Sequence, residues 1–271
     1  MTSRHAARVA LITGAASGIG RATAEKLALE HGVRVYVLDK HADAAAAAVH
    51  SINDRGGQAV ACVLDLADSL HLQAALPDAL AVFGPPDILV NNAGVAAMHL
   101  ATDCPLAHWQ LTVAVNVTAP MLLMQYAVSH MRQSGWGRIV NVASVSGLRA
   151  GTGRMAYGTS KAALIALTRQ FAIETGGWGV TVNAVAPGAI DTPLAQAHHS
   201  AETRAAYGRM VPMHRYGSTD EVAEGIVFLC SEQASYITGQ TLAIDGGFVA
   251  AGMLVSDALQ TPAHTSLAHA S

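Results

Sequence analysis

Charge is scarce in this chain. Only 13% of its 271 residues are Asp, Glu, Lys or Arg, against 51% apolar, a balance that argues against disorder and fits close-packed helices on a buried parallel sheet. The 16 basic residues are spread along the chain, and with 19 acidic ones the net charge is −3, so neither a nucleic acid nor a polybasic contact with a membrane is expected as partner. Cysteine is also rare. Cys62, Cys104 and Cys230 are odd in number, far apart and form no CxxC pair, which encodes neither a disulfide framework nor a zinc site. No signal-peptide core follows the polar first eight residues, and no apolar stretch reaches the length of a membrane span. A reducing, cytoplasmic setting is therefore expected.

What the chain does have is rhythm. Short β-branched runs recur at 8–13, 33–38, 59–64, 87–91, 138–142, 180–185 and 241–244, and segments of helical length and composition lie between them at 18–31, 42–54, 69–83, 105–133, 155–176 and 219–230. Strands alternating with helices imply right-handed crossovers and a doubly wound, seven-stranded parallel sheet with helices on both faces. No linker or repeat interrupts the alternation. One α/β domain over 1–248 is expected, with 249–271 as a C-terminal extension whose Met253, Leu254 and Leu259 could dock near a substrate entrance. A second irregular stretch, about thirty residues after Pro187-Gly188, reads as a substrate-covering element.

The first run leads straight into Thr13-Gly14-Ala15-Ala16-Ser17-Gly18-Ile19-Gly20, after which the helical pattern begins. Strand, glycine turn and helix start follow in the order a dinucleotide pyrophosphate needs, because glycine lets the backbone approach the phosphates and the helix N-terminus presents free N–H groups. Asp39 ends the next strand, where an acid accepts the adenosine ribose hydroxyls. That acid favours NAD over NADP, and Lys40 is the residue that could oppose it.

Taken together, these pieces resemble the short-chain dehydrogenase/reductase family from about Val9 to Phe248. Asp65 in Leu64-Asp65-Leu66 resembles the family's adenine-contacting acid, and Asn91-Asn92-Ala93-Gly94 its motif closing the fourth strand. Asn116, Ser144, Tyr157 and Lys161 match the catalytic positions, Pro187-Gly188 with Ile190 and Thr192 the nicotinamide-side turn, and Asp245-Gly246-Gly247 the closing strand end. The resemblance implies a Rossmann fold and the cofactor NAD, bound through Gly14, Ser17, Gly18, Ile19, Gly20, Asp39, Asp65, Leu66, Asn92, Ala93, Gly94, Tyr157, Lys161, Pro187, Gly188, Ile190 and Thr192. It also implies a homotetramer. Lys161 would hold the nicotinamide ribose, and Asn116 a water linking Lys161 to solvent.

Tyr157 and Lys161 stand four apart, hence on one face of a helix. A free tyrosine titrates near 10 and needs a neighbouring positive charge to act as a base at neutral pH, which Lys161 supplies. Ser144 then steadies the substrate oxygen. Ser146 is a rival to it, and the family's thirteen-residue step to the tyrosine favours Ser144. No metal is needed, and His198-His199 lack the converging donors of a zinc site.

Pocket residues expected from position are Val95, Ala96, Met98, Leu148, Thr152, Ala189, Leu194 and Met210, a mainly apolar set suited to a small secondary alcohol or ketone. A 3-oxoacyl-carrier-protein reductase is the alternative within enzymes. A non-catalytic dinucleotide-binding sensor is the alternative outside them, and the complete catalytic set argues against it. The apolar breadth of 155–175, with Leu164, Leu167 and Phe171 beside Ile165, Ala166 and Ile173, implies a second packing partner and thus a homo-oligomer.

Overall fold

The computed structural model describes residues 7–252. Seven strands, β1 (Val9–Thr13), β2 (Arg34–Asp39), β3 (Gln58–Val63), β4 (Ile88–Asn91), β5 (Gly137–Val142), β6 (Val180–Pro187) and β7 (Thr241–Ile244), form one sheet in the order β3-β2-β1-β4-β5-β6-β7. Every neighbouring pair is parallel, with Leu11 opposite both Tyr36 and Leu89. All residues of β1, β4, β5 and β6 are buried. Their near-continuous apolar runs reflect a sheet covered on both sides.

Helices α1 (Gly18–Leu29), α2 (Ala42–Asp54) and α9 (Thr219–Leu229) cover one face, burying Ala24, Leu27, Ala45, Ala48, Ile52, Val222 and Ile226 against the sheet. The other face carries α3 (Ser69–Ala79), α5 (Ala119–Ser134) and α6 (Met155–Thr175), with Leu72, Leu76, Leu123, Met124, Met131 and Ala172 in its core. The chain winds outward from β1 to β3 and then resumes beside β1 with β4. That reversal opens a crevice at the C-terminal ends of β1 and β4, where ligands of open α/β sheets bind.

Three features depart from the sequence expectation. The helix expected over 105–133 is α4 (Leu106–Val113), a π turn (Ala114–Thr118) and α5 in succession. By length and composition the whole run Leu106–Ser134 could cross a membrane, contrary to the expectation of no such segment, but it serves here as a core helix whose Leu123, Met124, Ala127 and Met131 are buried. Helix α3 stops four residues early, soon after an internal Pro77 that brings no backbone donor. The strandless stretch after β6 folds into two short helices, α7 (Pro193–His198) and α8 (Ala201–Met210), over the crevice. Met253, Leu254 and Leu259 lie outside the described residues.

Candidate active site

A cavity of about 560 Å³ occupies the crevice. At one end the turn Gly14, Ser17, Gly18 and Ile19 brings in the N-terminus of α1. The Ser17 side chain makes no cap bond there and the first turn holds no acid, so the positive helix end is left facing the cavity. Gly14 has φ +62°, a left-handed conformation that suits glycine. Gly20 stands behind the wall, where a Cβ would collide with the Asn92 amide and the Gly14 carbonyl. Asn92 Nδ2 donates to the carbonyls of Thr13 at 2.9 Å and Gly14 at 3.2 Å, while Thr13 Oγ1 accepts from the backbone N–H of Asn92 and Ala93. The end of β4 is thus stitched to the glycine turn.

Along the rim, Asp39 accepts from the backbone N–H of Ala16 at 3.3 Å and His41 at 3.1 Å, and Asp65 from that of Ala67 at 2.9 Å. These bonds fix both carboxylates in orientation. Leu66, Ala93 and Gly94 line the same end, and Pro187, Gly188, Ile190 and Thr192 the opposite side.

Ser144, Tyr157 and Lys161 share the inner wall. Tyr157 and Lys161 lie one turn apart on α6, with Lys161 Nζ 5.7 Å from the centre of the tyrosine ring. Lys161 is only 3% exposed and donates to the Val142 carbonyl at 2.7 Å. Burial lowers its pKa to about 8, since the charged form is costly away from water. Burial also raises Tyr157, opposed by a hydrogen bond with Ser144 and the nearby Arg154 charge. Ser144, which ends the loop after β5, accepts from the Ser146 N–H at 3.1 Å. Ser146 lines the cavity as well.

Asn116 is fully buried behind this wall, in the π turn. Its amide is already engaged: Oδ1 accepts from the Val95 N–H at 2.9 Å, and Nδ2 donates to the Val95 carbonyl and to Ser160 Oγ. The side chain therefore buttresses the loop after β4. Pro120, four residues on, has no N–H to supply an α-helical bond to the Asn116 carbonyl, which accounts for the π turn here. A π turn at such a place commonly marks a functional site.

A family profile described as Enoyl-(Acyl carrier protein) reductase matches residues 14–249. Two characterised relatives are each 39% identical. One is the 3-oxoacyl-[acyl-carrier-protein] reductase of Aquifex aeolicus, over 89% of this chain and 96% of its own length; the other is the cis-4-hydroxycyclohexanecarboxylate dehydrogenase of Sinomonas cyclohexanicum, over 92% and 100%. The chain belongs to the short-chain dehydrogenase/reductase family. As a member of it, this protein is an oxidoreductase. Among solved structures, the gluconate 5-dehydrogenase of Burkholderia cenocepacia in complex with NADP and tartrate superposes with a TM-score of 0.86 at 31% identity, covering 92% of this chain and 98% of the other.

The residues present fit the dinucleotide that this short-chain dehydrogenase/reductase family implies. A helix end free of acids suits a pyrophosphate, and an oriented Asp39 suits ribose hydroxyls.

On the substrate side, Val95, Ala96 and Ala189 line the cavity as expected. Met98, Leu148, Thr152 and Met210 do not; they are exposed to solvent, with Met98 at 56%. The side chain of Leu194 lies outside those described. In their place come Arg154, His199 and Tyr207. Sequence reading weighed His199 only as a metal ligand and did not single out Tyr207. The signal for both was their place in the stretch already read as a cover.

Proposed function

We propose that this oxidoreductase is NAD-dependent and interconverts a small, mostly apolar secondary alcohol and its ketone. The observation that carries the reading is one cavity that brings Tyr157, Ser144 and Lys161 on its inner wall together with Asp39 at its rim. The names of both 39% relatives denote a ketone or a secondary alcohol as the reacting group. In this reading residues 1–248 are one dinucleotide-binding and catalytic domain, 249–271 are an extension, and the active species is a homotetramer. Three free cysteines suit a reducing, cytoplasmic setting.

The pyrophosphate lies against Gly14, Ser17, Gly18, Ile19 and Gly20, and the adenosine against Asp39, Asp65 and Leu66. Asn92, Ala93 and Gly94 floor the site, and Pro187, Gly188, Ile190 and Thr192 flank the nicotinamide. When bound, the dinucleotide supplies or accepts the hydride. Tyr157 exchanges a proton with the substrate oxygen as general acid or base. Ser144 donates to that oxygen as it gains charge. Lys161 holds the ribose and favours the phenolate, and Asn116 holds a water that links Lys161 to solvent.

The acyl-carrier reading finds support in the Aquifex relative. Against it stands the arginine inventory: Arg132 stacks on Trp178 at 4.6 Å and Arg149 donates to the Phe248 carbonyl at 2.8 Å. Both keep their charge, but two separate cations make a weak field for steering an acidic carrier protein. The deciding experiment follows nicotinamide absorbance with purified protein, NAD and a panel of secondary alcohols. NAD reduction with at least one panel member is expected; none with any alcohol, in either direction, overturns the reading.

A further inference from the structure

We propose that the substrate carries a carboxylate, held by Arg154 at the wall of the cavity beside Tyr157; this rests on the dehydrogenase reading above. Arg154 immediately precedes α6, and its guanidinium carbon lies 5.7 Å from the centre of the Tyr157 ring. It is half-buried and lines the cavity. Every such charge needs a partner, since burying one unpaired is costly.

Other arginines have theirs. Arg21, Arg138, Arg204 and Arg215 pair with carboxylates, and Arg149, close by in the chain, is exposed, so water solvates its charge while it meets the carbonyl and ring of Phe248. Among the described residues no Asp or Glu lies within ion-pair distance of Arg154. One of its amino groups meets His199 Nε2 at 3.4 Å. Arginine has no acceptor, so in that contact the imidazole nitrogen takes the accepting role, while Nδ1 lies 3.0 Å from the Tyr216 hydroxyl.

The histidine is itself braced. Tyr207 stacks on it at 5.4 Å, Arg204 lies over Tyr216 at 4.8 Å, and Arg204 is anchored to Asp191 at 2.9 Å. The chain therefore invests a network from α6, α8 and the loops around them in orienting one cation without neutralising it. A guanidinium fork so held matches a planar carboxylate in two parallel bonds. Val95, Ala96 and Ala189 leave an apolar wall for the body between acid and ketone. The class is thus a hydroxy acid and its oxo acid, with a compact hydrocarbon frame.

The test takes the full chain loaded with NADH and a panel of oxo acids from pyruvate to oxocyclohexanecarboxylates, each paired with its methyl ester. Quenching of bound NADH fluorescence reports binding, and absorbance reports turnover. At least one acid is expected to bind about tenfold or more tightly than its ester, the scale of a charge-assisted bond. Arg154→Gln collapses that ratio towards one, and Arg154→Lys keeps part of it. No acid preferred over its ester, or a preference surviving in Arg154→Gln, overturns the assignment, and ester turnover in that case leaves the dehydrogenase reading standing. Acid-selective binding lost in Arg154→Gln, with no turnover of any compound, upholds the anion site and refutes the dehydrogenase.

Discussion

Lys161 Nζ sits 5.7 Å from the centre of the Tyr157 ring while donating to the Val142 carbonyl at 2.7 Å. The ammonium is thus tied to the end of β5 and held beside the phenol, close enough to act through its charge without taking the proton's place. Tyr157→Phe removes only the phenolic oxygen that the proposed mechanism uses for proton transfer. Turnover should fall by about 100-fold or more, the contribution of a general acid or base, with dinucleotide affinity by titration close to the unmodified value. Lys161→Ala should harm both. A Phe variant retaining more than about a tenth of the rate would exclude Tyr157 as the acid.

The same pair sets a pH dependence. Burial lowers Lys161 to about 8 and raises Tyr157. The unfolded chain therefore holds a lysine proton, between about 8 and its ordinary 10.5, that the folded chain has released. More protons on the unfolded side means stability that rises with pH in that window. Above 10 the raised Tyr157 works the other way, because the unfolded tyrosine ionises first. Denaturant titrations of the cofactor-free protein from pH 7 to 10 should show the rise, and Lys161→Met should flatten it.

Much of this was readable in the sequence, for a definite reason. Strands buried on both faces are apolar runs, so 8–13 or 180–185 stood out, and the glycine turn with Asp39 announced its own geometry. The π turn did not show, because one extra residue in a helix of 29 leaves the apolar period almost unchanged. Pro120, four residues after Asn116, was its only mark. Side-chain direction was equally hidden: Met98 and Met210 sit in the right segments and point to solvent, whereas His199 reaches Arg154 across 45 residues of chain.

Cofactor choice should follow Asp39. Its carboxylate is oriented by the N–H groups of Ala16 and His41, and in the proposed binding mode it meets the phosphate dianion that NADP carries. Juxtaposed like charges cost several kcal/mol, so kcat/KM with NAD should exceed that with NADP by about tenfold or more. Lys40 lines the same rim and is the natural counterweight. Asp39→Ser should narrow the ratio; equal efficiencies in the unmodified enzyme would reject the preference.

Assembly is expected to involve α6. Leu164, Ile165 and Ala172 turn inward, while Ala162, Ala166, Arg169 and Ile173 form an outward stripe, with Ile173 81% exposed. Small residues with an apolar end suit close approach of a second copy, and sedimentation at micromolar concentration should give a species larger than a monomer. Ala166→Glu puts a charge on that stripe and should shift the distribution to smaller species. A monomer in the unmodified protein would contradict the proposed tetramer.

The last prediction sets a free substrate against a carrier-bound one. A carrier-protein reductase of this family docks its acidic partner through cations near the ends of the two long helices before the fifth and sixth strands. Here those ends read Gln133-Ser134-Gly135-Trp136-Gly137 and Glu174-Thr175-Gly176-Gly177-Trp178-Gly179, without Lys or Arg. Arg132, just before the first stretch, is the one basic residue in the last turns of those two helices, and a single charge leaves little field to steer an acidic protein. Arg154 faces inward, so it serves a small anion within the cavity better than a docking surface outside it. Turnover on free ketones should therefore match or exceed turnover on an acetoacetyl-carrier conjugate at equal concentration, and raising the salt should change the conjugate's rate little, because one arginine gives salt little to screen. A clear advantage for the conjugate that salt abolishes would instead show a docked carrier, and would move this enzyme into the company of the Aquifex reductase.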